Sequence, residues 1–293
     1  MSAPVWTALV DAASLAKALA SDSPPVVLDA RFDLGDPTAG HQSYIEARLP
    51  GARFADLDRD LAGPVRDDSG RHPLPDPRTL ARQLGAWGVA SGEPGTQVVV
   101  YDSASGAFAA RCWWLLRWLG HRAVAVLDGG LAHWQAQALP LEHGPAAPSD
   151  VDPARFTAAA NPEMCMELGA LVHALATDEV LLTDARAAPR FAGDQEPIDP
   201  VAGHVPGAIN HPFDRNLAAD GRFHSPAHLR KTYLSLLGNR APQQLVAMCG
   251  SGVTACHLLL GMAAADLPLG RLYAGSWSEW IRDPARPVAK GMT

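Results

Sequence analysis

Short apolar runs such as VVVY (98–101) and LVAM (245–248) are bounded by turn residues and alternate with stretches of helical periodicity along this chain. That alternation predicts βα units around a buried, mainly parallel sheet. Helix punctuation agrees. Asp76 and Ser225 stand as N-caps directly before Pro77 and Pro226, and Gly238 suits the C-terminal stop of the helix over AHLRKTYLSLL. The tryptophans of RCWWLLRWLG (111–120) recur on a helical pattern and are expected in a core.

The pattern occurs twice. VVLDAR (26–31), RLPGARF (48–54), VVVYD (98–102) and LDGGLAHW (127–134) are answered in order by LLTDAR (181–186), HVPGAIN (204–210), LVAMC (245–249) and YAGSWSEW (273–280). The offset is 155 residues at Asp29 and Asp184, 156 at Pro50 and Pro206, and 147 at Asp102 and Cys249. A duplicated domain accounts for this register. The expected division is an N-terminal domain over 1–140, a linker over 141–162 within a Pro-rich, acidic stretch, and a C-terminal domain over 163–293.

Length and composition fit two α/β domains: 293 residues, 47% hydrophobic and 19% charged. No apolar run approaches the ~20 residues of a membrane helix, so no membrane partner is expected. The stretch MSAPVWTALVDAASL lacks the basic and continuous apolar regions of a secretory signal, which points to the cytoplasm. Four cysteines without a CxxC pair make neither a disulfide scaffold nor a zinc site. The eleven histidines read as scattered, without an HxxxH or HExxH pair, so neither metal nor other cofactor is expected. A net charge of −7 argues against nucleic acid while leaving room for a small anion held by local arginines.

The copies differ most usefully at one loop. After its strand the second copy reads MCGSGVTAC, whereas the first reads YDSASGAFAARC, so Asp102 stands where Cys249 stands. Ligands bind at the carboxyl ends of strands in open α/β sheets, and Cys249 occupies such an end. Gly250, Ser251 and Gly252 let backbone N–H groups converge on one point, and a following helix adds its positive end. A thiolate or persulfide suits that focus, and the thiolate is the nucleophilic form of cysteine.

The string CGSGVTACH, with DAR, RFAG, GHVPGAIN and GSWSEW in order, resembles the rhodanese homology family, in particular its tandem-domain 3-mercaptopyruvate sulfurtransferase branch. The resemblance runs from about Val26 to Trp280 and implies two rhodanese domains, each a mainly parallel five-stranded sheet flanked by helices, with the active site between them. It implies Cys249 as nucleophile, and Ser251, His72 (in RHPLP) and Asp58 (in FADLD) as a proton-transfer chain. Arg190, in PRFAG, corresponds to an arginine that grips the donor's carboxylate, and the backbone of Gly250, Gly252, Val253 and Thr254 to the anion cradle. Arg31 and Arg186, each two residues after an aspartate, read as structural ion-pair residues. The implied partners are a small anionic sulfur donor and a thiol acceptor such as reduced thioredoxin, or cyanide.

One stretch departs from the family. A second arginine expected a few residues beyond RFAG is absent from GDQEPIDPVAGH (193–204), where Ile198 and Asp199 stand instead. Losing one charge-assisted hydrogen bond weakens carboxylate binding by ~1.5–3 kcal/mol, so thiosulfate stays open as an alternative donor. Cysteine phosphatases, whose loops follow C-x5-R, are excluded because the sixth residue after Cys249 is Ala255. A regulatory sulfur-carrier-binding module fits the first copy better than the second. Cys256, two helical turns beyond Cys249, is expected in the core.

Overall fold

The computed structural model describes residues 5–92, 95–145 and 153–292. Residues 146–152 of the expected linker, and the first four of the N-terminal stretch, lie outside them. The chain forms two compact units. The first comprises Met1–Ala62, Pro75–Asn161 and Ala219–Phe223; the second comprises Gly63–Leu74, Pro162–Ala218 and His224–Thr293. Each half of the sequence thus contributes a short segment to the other unit, and the two segments correspond as Gly70-Arg71-His72 and Gly221-Arg222-Phe223. The described ends of the linker pack on the first unit, through Gly144 N–H to Ile45 O (2.8 Å) and Ala159 N–H to Leu119 O (3.0 Å).

The first sheet joins β1 (Leu9–Val10), β2 (Val26–Asp29), β3 (Arg53–Phe54), β4 (Val98–Tyr101) and β5 (Val124–Leu127) in the order β1-β5-β4-β2-β3, all parallel. Its helices are α1 (Ala12–Leu19), α2 (Ala39–Glu46), α3 (Pro77–Ala86), α4 (Ala109–Trp118) and α5 (Gly130–Ala136). Asp76 caps α3 through Thr79 N–H at 2.8 Å, as expected. Trp113 and Trp114 of α4 are fully buried.

The second sheet contains β6 (Leu181–Asp184), β7 (Ile209–Asn210), β8 (Leu245–Met248) and β9 (Arg271–Leu272) in the order β7-β6-β8-β9, again parallel. Around it lie α6 (Leu168–Ala176), α7 (Ala188–Ala192), α8 (Pro226–Leu237), α9 (Ala255–Ala264) and α10 (Ser276–Trp280). Ser225 caps α8 and Gly238, at φ +59°, ends it. Five strands are expected here and four form among the described residues. The place of the fifth is held by a single parallel bridge between Cys165 and Leu272. A 3-10 turn over Pro162–Met164 delivers the chain late, and α6 begins at Leu168, which leaves room for little more than one paired residue. No helix among the described residues is long and apolar enough to cross a membrane.

Candidate active site

All four residues of β8 are buried, and their register against β6, from Leu181 with Leu245 to Asp184 with Met248, fixes where the strand stops. Cys249 is the next residue. It is 2% exposed. Gly252 adopts φ +77°, and a Cβ there would overlap the Ala274 carbonyl, so both conformation and space demand glycine. The resulting turn brings the Gly252 N–H back to Cys249 Sγ at 3.1 Å. Behind the loop, α9 starts at Ala255 after Thr254, placing its N-terminal end beside the sulfur's turn. Cys256 is fully buried and its thiol donates to Gly252 O at 3.3 Å, the core position expected for it.

The other face of the loop is laced to α10. Trp277 N–H donates to Cys249 O (3.0 Å) and Ser278 N–H to Gly250 O (2.9 Å). Cys249 N–H donates to Ser276 Oγ at 3.1 Å, and that hydroxyl donates to Tyr273 O at 2.9 Å. Ser276 lies at φ +54°, where the first copy has Gly130 at φ +55°. A side chain in that region costs about 1–2 kcal/mol, and here its hydroxyl holds the cysteine's own amide. Sequence reasoning did not single out Ser276; the Gly-Gly to Gly-Ser difference between LDGGLAHW and YAGSWSEW was the available signal.

Segment 63–74 carries two further groups to the loop. His72 Nδ1 is 2.8 Å from Ser251 Oγ, with both residues buried. The segment is held by Arg71 N–H to Ser278 Oγ (2.9 Å) and by contact of Gly70 with the Gly275 backbone. Asp58 belongs to the first unit, where its N–H donates to Asp56 Oδ1 (2.9 Å). Partial burial, and then the charge of Asp56, raises the Asp58 carboxyl above its ordinary pKa.

Arg190 sits on α7 with its guanidinium beside Gly250: a Cβ at Gly250 would lie 3.5 Å from Arg190 Nη2 and 3.2 Å from Arg71 Nη2. Two guanidinium groups therefore flank the loop. Stretch 193–204 supplies no arginine, and the second guanidinium is that of Arg71, which sequence reasoning passed over although it directly precedes His72. Asp199 occupies the space between them, accepting from Arg71 Nη1 (2.5 Å) and Arg190 Nη2 (3.1 Å). Glu196 accepts from Arg190 Nε and Nη2 (3.1 and 2.7 Å). Burial pushes the Glu196 carboxyl up, but the Arg190 side chain and the Asp199 N–H outweigh it and leave the pKa below the usual range.

Arg186 and Arg31 form the structural ion pairs expected of them. Arg186 Nη2 reaches Asp184 Oδ2 and Arg31 Nη2 reaches Asp29 Oδ2, each at 2.6 Å, and both pairs are buried. In the first copy Asp102 accepts N–H groups from Ala104 (3.2 Å), Gly106 (2.9 Å), Phe108 (2.9 Å) and Ala109 (3.3 Å). Burial raises its pKa while these donors pull it back. The same cradle thus encloses a built-in carboxylate in one copy and a thiol in the other. The expectation of no HxxxH pair is corrected by His224 and His228, which have that spacing and stack with ring centroids 4.1 Å apart. No group of three or more His, Cys, Asp or Glu suited to a metal exists among the described residues.

The rhodanese-like domain model matches residues 11–137 and 167–283. A Pseudomonas aeruginosa protein named "Probable 3-mercaptopyruvate sulfurtransferase" is 52% identical, covering 97% of this chain and 98% of its own. The thiosulfate sulfurtransferase of Rattus norvegicus is 34% identical over 90% of this chain and 88% of its own. The solved 3-mercaptopyruvate sulfurtransferase from Leishmania major superposes with a TM-score of 0.82 at 30% identity, covering 95% of this chain and 76% of that one. With the domain matched twice and such identity over nearly its full length, the chain belongs to the rhodanese-like family.

Proposed function

We propose that the chain is a 3-mercaptopyruvate sulfurtransferase with Cys249 as its nucleophile. The Cys249 thiolate attacks the sulfur of 3-mercaptopyruvate. A sulfur–sulfur bond forms, the donor's carbon–sulfur bond breaks, and the electron pair leaves on the enolate of pyruvate, which takes up a proton. Ser251 and His72, with Asp58 as third member, carry the proton between the donor's thiol and the departing enolate. An acceptor then attacks the outer sulfur of the persulfide and returns Cys249 as thiolate. Cyanide would leave as thiocyanate; a cytoplasmic thiol such as reduced thioredoxin is the acceptor we favour.

The observation that carries this reading is the Gly252 N–H aimed at Cys249 Sγ at 3.1 Å, at a strand end flanked by Arg71 and Arg190. Backbone donors stabilise negative sulfur, and guanidinium pairs suit a carboxylate. The first copy, its cradle filled by Asp102, is the non-nucleophilic member of the pair. Two guanidinium groups suit thiosulfate as well, and the rat relative bears that name. Initial rates with each donor at saturating cyanide separate the two: mercaptopyruvate is expected to be the faster, and a strong thiosulfate preference would overturn the donor while leaving the nucleophile in place.

A further inference from the structure

Asp199 is 7% exposed and bonded to two cations, in a stretch where the family resemblance leads one to expect a second arginine. Its Oδ1 takes Arg71 Nη1 and its Oδ2 takes Arg190 Nη2. The remaining terminal nitrogens, Arg71 Nη2 and Arg190 Nη1, lie 3.2 and 3.7 Å from where a Gly250 Cβ would be. One carboxylate therefore ties the two guanidinium groups together, and a terminal nitrogen of each that is not bonded to it still lies beside Gly250 of the cysteine loop. Arg190 has a second tether in Glu196, so its position is set from two sides. Arg71 is more exposed, with 29% of its side chain open to solvent, and the ion pair with Asp199 is what anchors its head group. A long cationic side chain held by one ion pair loses much of its rotamer freedom before any ligand arrives, which lowers the cost of binding one.

We propose that Asp199 is a positioning residue for the donor's carboxylate, holding Arg71 and Arg190 at the spacing that grips it. The inference rests on the reading of the site as one for an anionic sulfur donor. Asp199 does not touch the donor; it acts through the two arginines. Asparagine at this place has one acceptor oxygen where two are used, so one guanidinium is released.

Steady-state kinetics of Asp199→Asn with mercaptopyruvate and with thiosulfate, at saturating cyanide, test the proposal. The KM of whichever donor the wild type uses is expected to rise about tenfold, the size of one charge-assisted hydrogen bond, with kcat within about twofold of wild type. An unchanged or lower KM, or a fall in kcat at constant KM, overturns it. Calorimetric titration of pyruvate into Cys249→Ser and Cys249→Ser/Asp199→Asn reads the same clamp without turnover. Weaker pyruvate binding in the double variant, alongside a wild type inactive on both donors, would sink the sulfurtransferase reading and keep the role of Asp199; equal binding would overturn that role. If Asp199→Asn does not fold, Asp199→Glu keeps the charge but displaces the bridge by one methylene, and a KM increase is again expected.

Discussion

His72 Nδ1 and Ser251 Oγ are 2.8 Å apart although 179 positions separate them. The pairing exists because segment 63–74 packs as part of the second unit, where Arg71 N–H on Ser278 and the Gly70–Gly275 contact hold it. Both partners are buried, so the proton they share is shielded from bulk water.

Ser251→Ala removes the hydroxyl of this pair while leaving the Cys249 turn intact. Turnover of mercaptopyruvate should fall on the order of a hundredfold, the usual loss of a general acid–base group, while discharge of preformed persulfide to cyanide keeps its rate. Single-turnover measurements of each half-reaction check this; an equal loss in both would contradict a donor-side proton relay.

Arg190→Ala removes the α7 side of the clamp. The KM for the donor should rise tenfold or more, in line with ~1.5–3 kcal/mol for a charge-assisted contact, and steady-state kinetics measure it.

Gly252→Ala places a side chain at φ +77° against the Ala274 carbonyl. Stability should drop by about 1–2 kcal/mol or more, and activity should fall with it because the N–H that faces the sulfur is displaced. Urea unfolding together with assays at a temperature where the variant is folded separates the two effects. A fully active, equally stable variant would be incompatible with the turn described.

His211 is 3% exposed, and desolvation, followed by the charge of Arg215, lowers its pKa from 6.5 to about 4. The folded state keeps the ring neutral, whereas the unfolded chain protonates near 6.5, so stability is full above that pH and is lost as pH falls toward about 4. The loss amounts to roughly 3 kcal/mol. Urea midpoints from neutral pH down to about pH 4.5 should fall less steeply for His211→Gln than for wild type; parallel curves would rule out His211 as the source.

The duplication, the βα units and the Cys249 turn were legible in the sequence because each is written in contiguous strings: strand, small residues, helix. Ser251 and Arg190 were singled out only through the family resemblance, on the strings CGSGVTACH and PRFAG. The exchange of segments 63–74 and 219–223 was not, since nothing local in GRH or GRF says which unit will receive it. For that reason Arg71 went unnoticed one residue before His72, and Asp199 was read as a missing arginine when its carboxylate joins the two arginines present. Ser276 was hidden differently. Its effect depends on a backbone angle, and a serine at φ +54° is unremarked in a sequence until the glycine of the other copy is set beside it. The fifth strand of the second sheet was over-counted because the first copy's β1 is itself only two residues long, and the 3-10 turn at Pro162–Met164 shortens its counterpart further.

The central claim is that sulfur passes through Cys249. Intact-mass and peptide mass spectrometry after incubation with mercaptopyruvate, without acceptor, should show one added sulfur on the peptide bearing Cys249, lost on addition of cyanide and absent in Cys249→Ser. An unmodified Cys249 peptide in protein that turns the donor over, or undiminished activity in Cys249→Ser, would contradict the account.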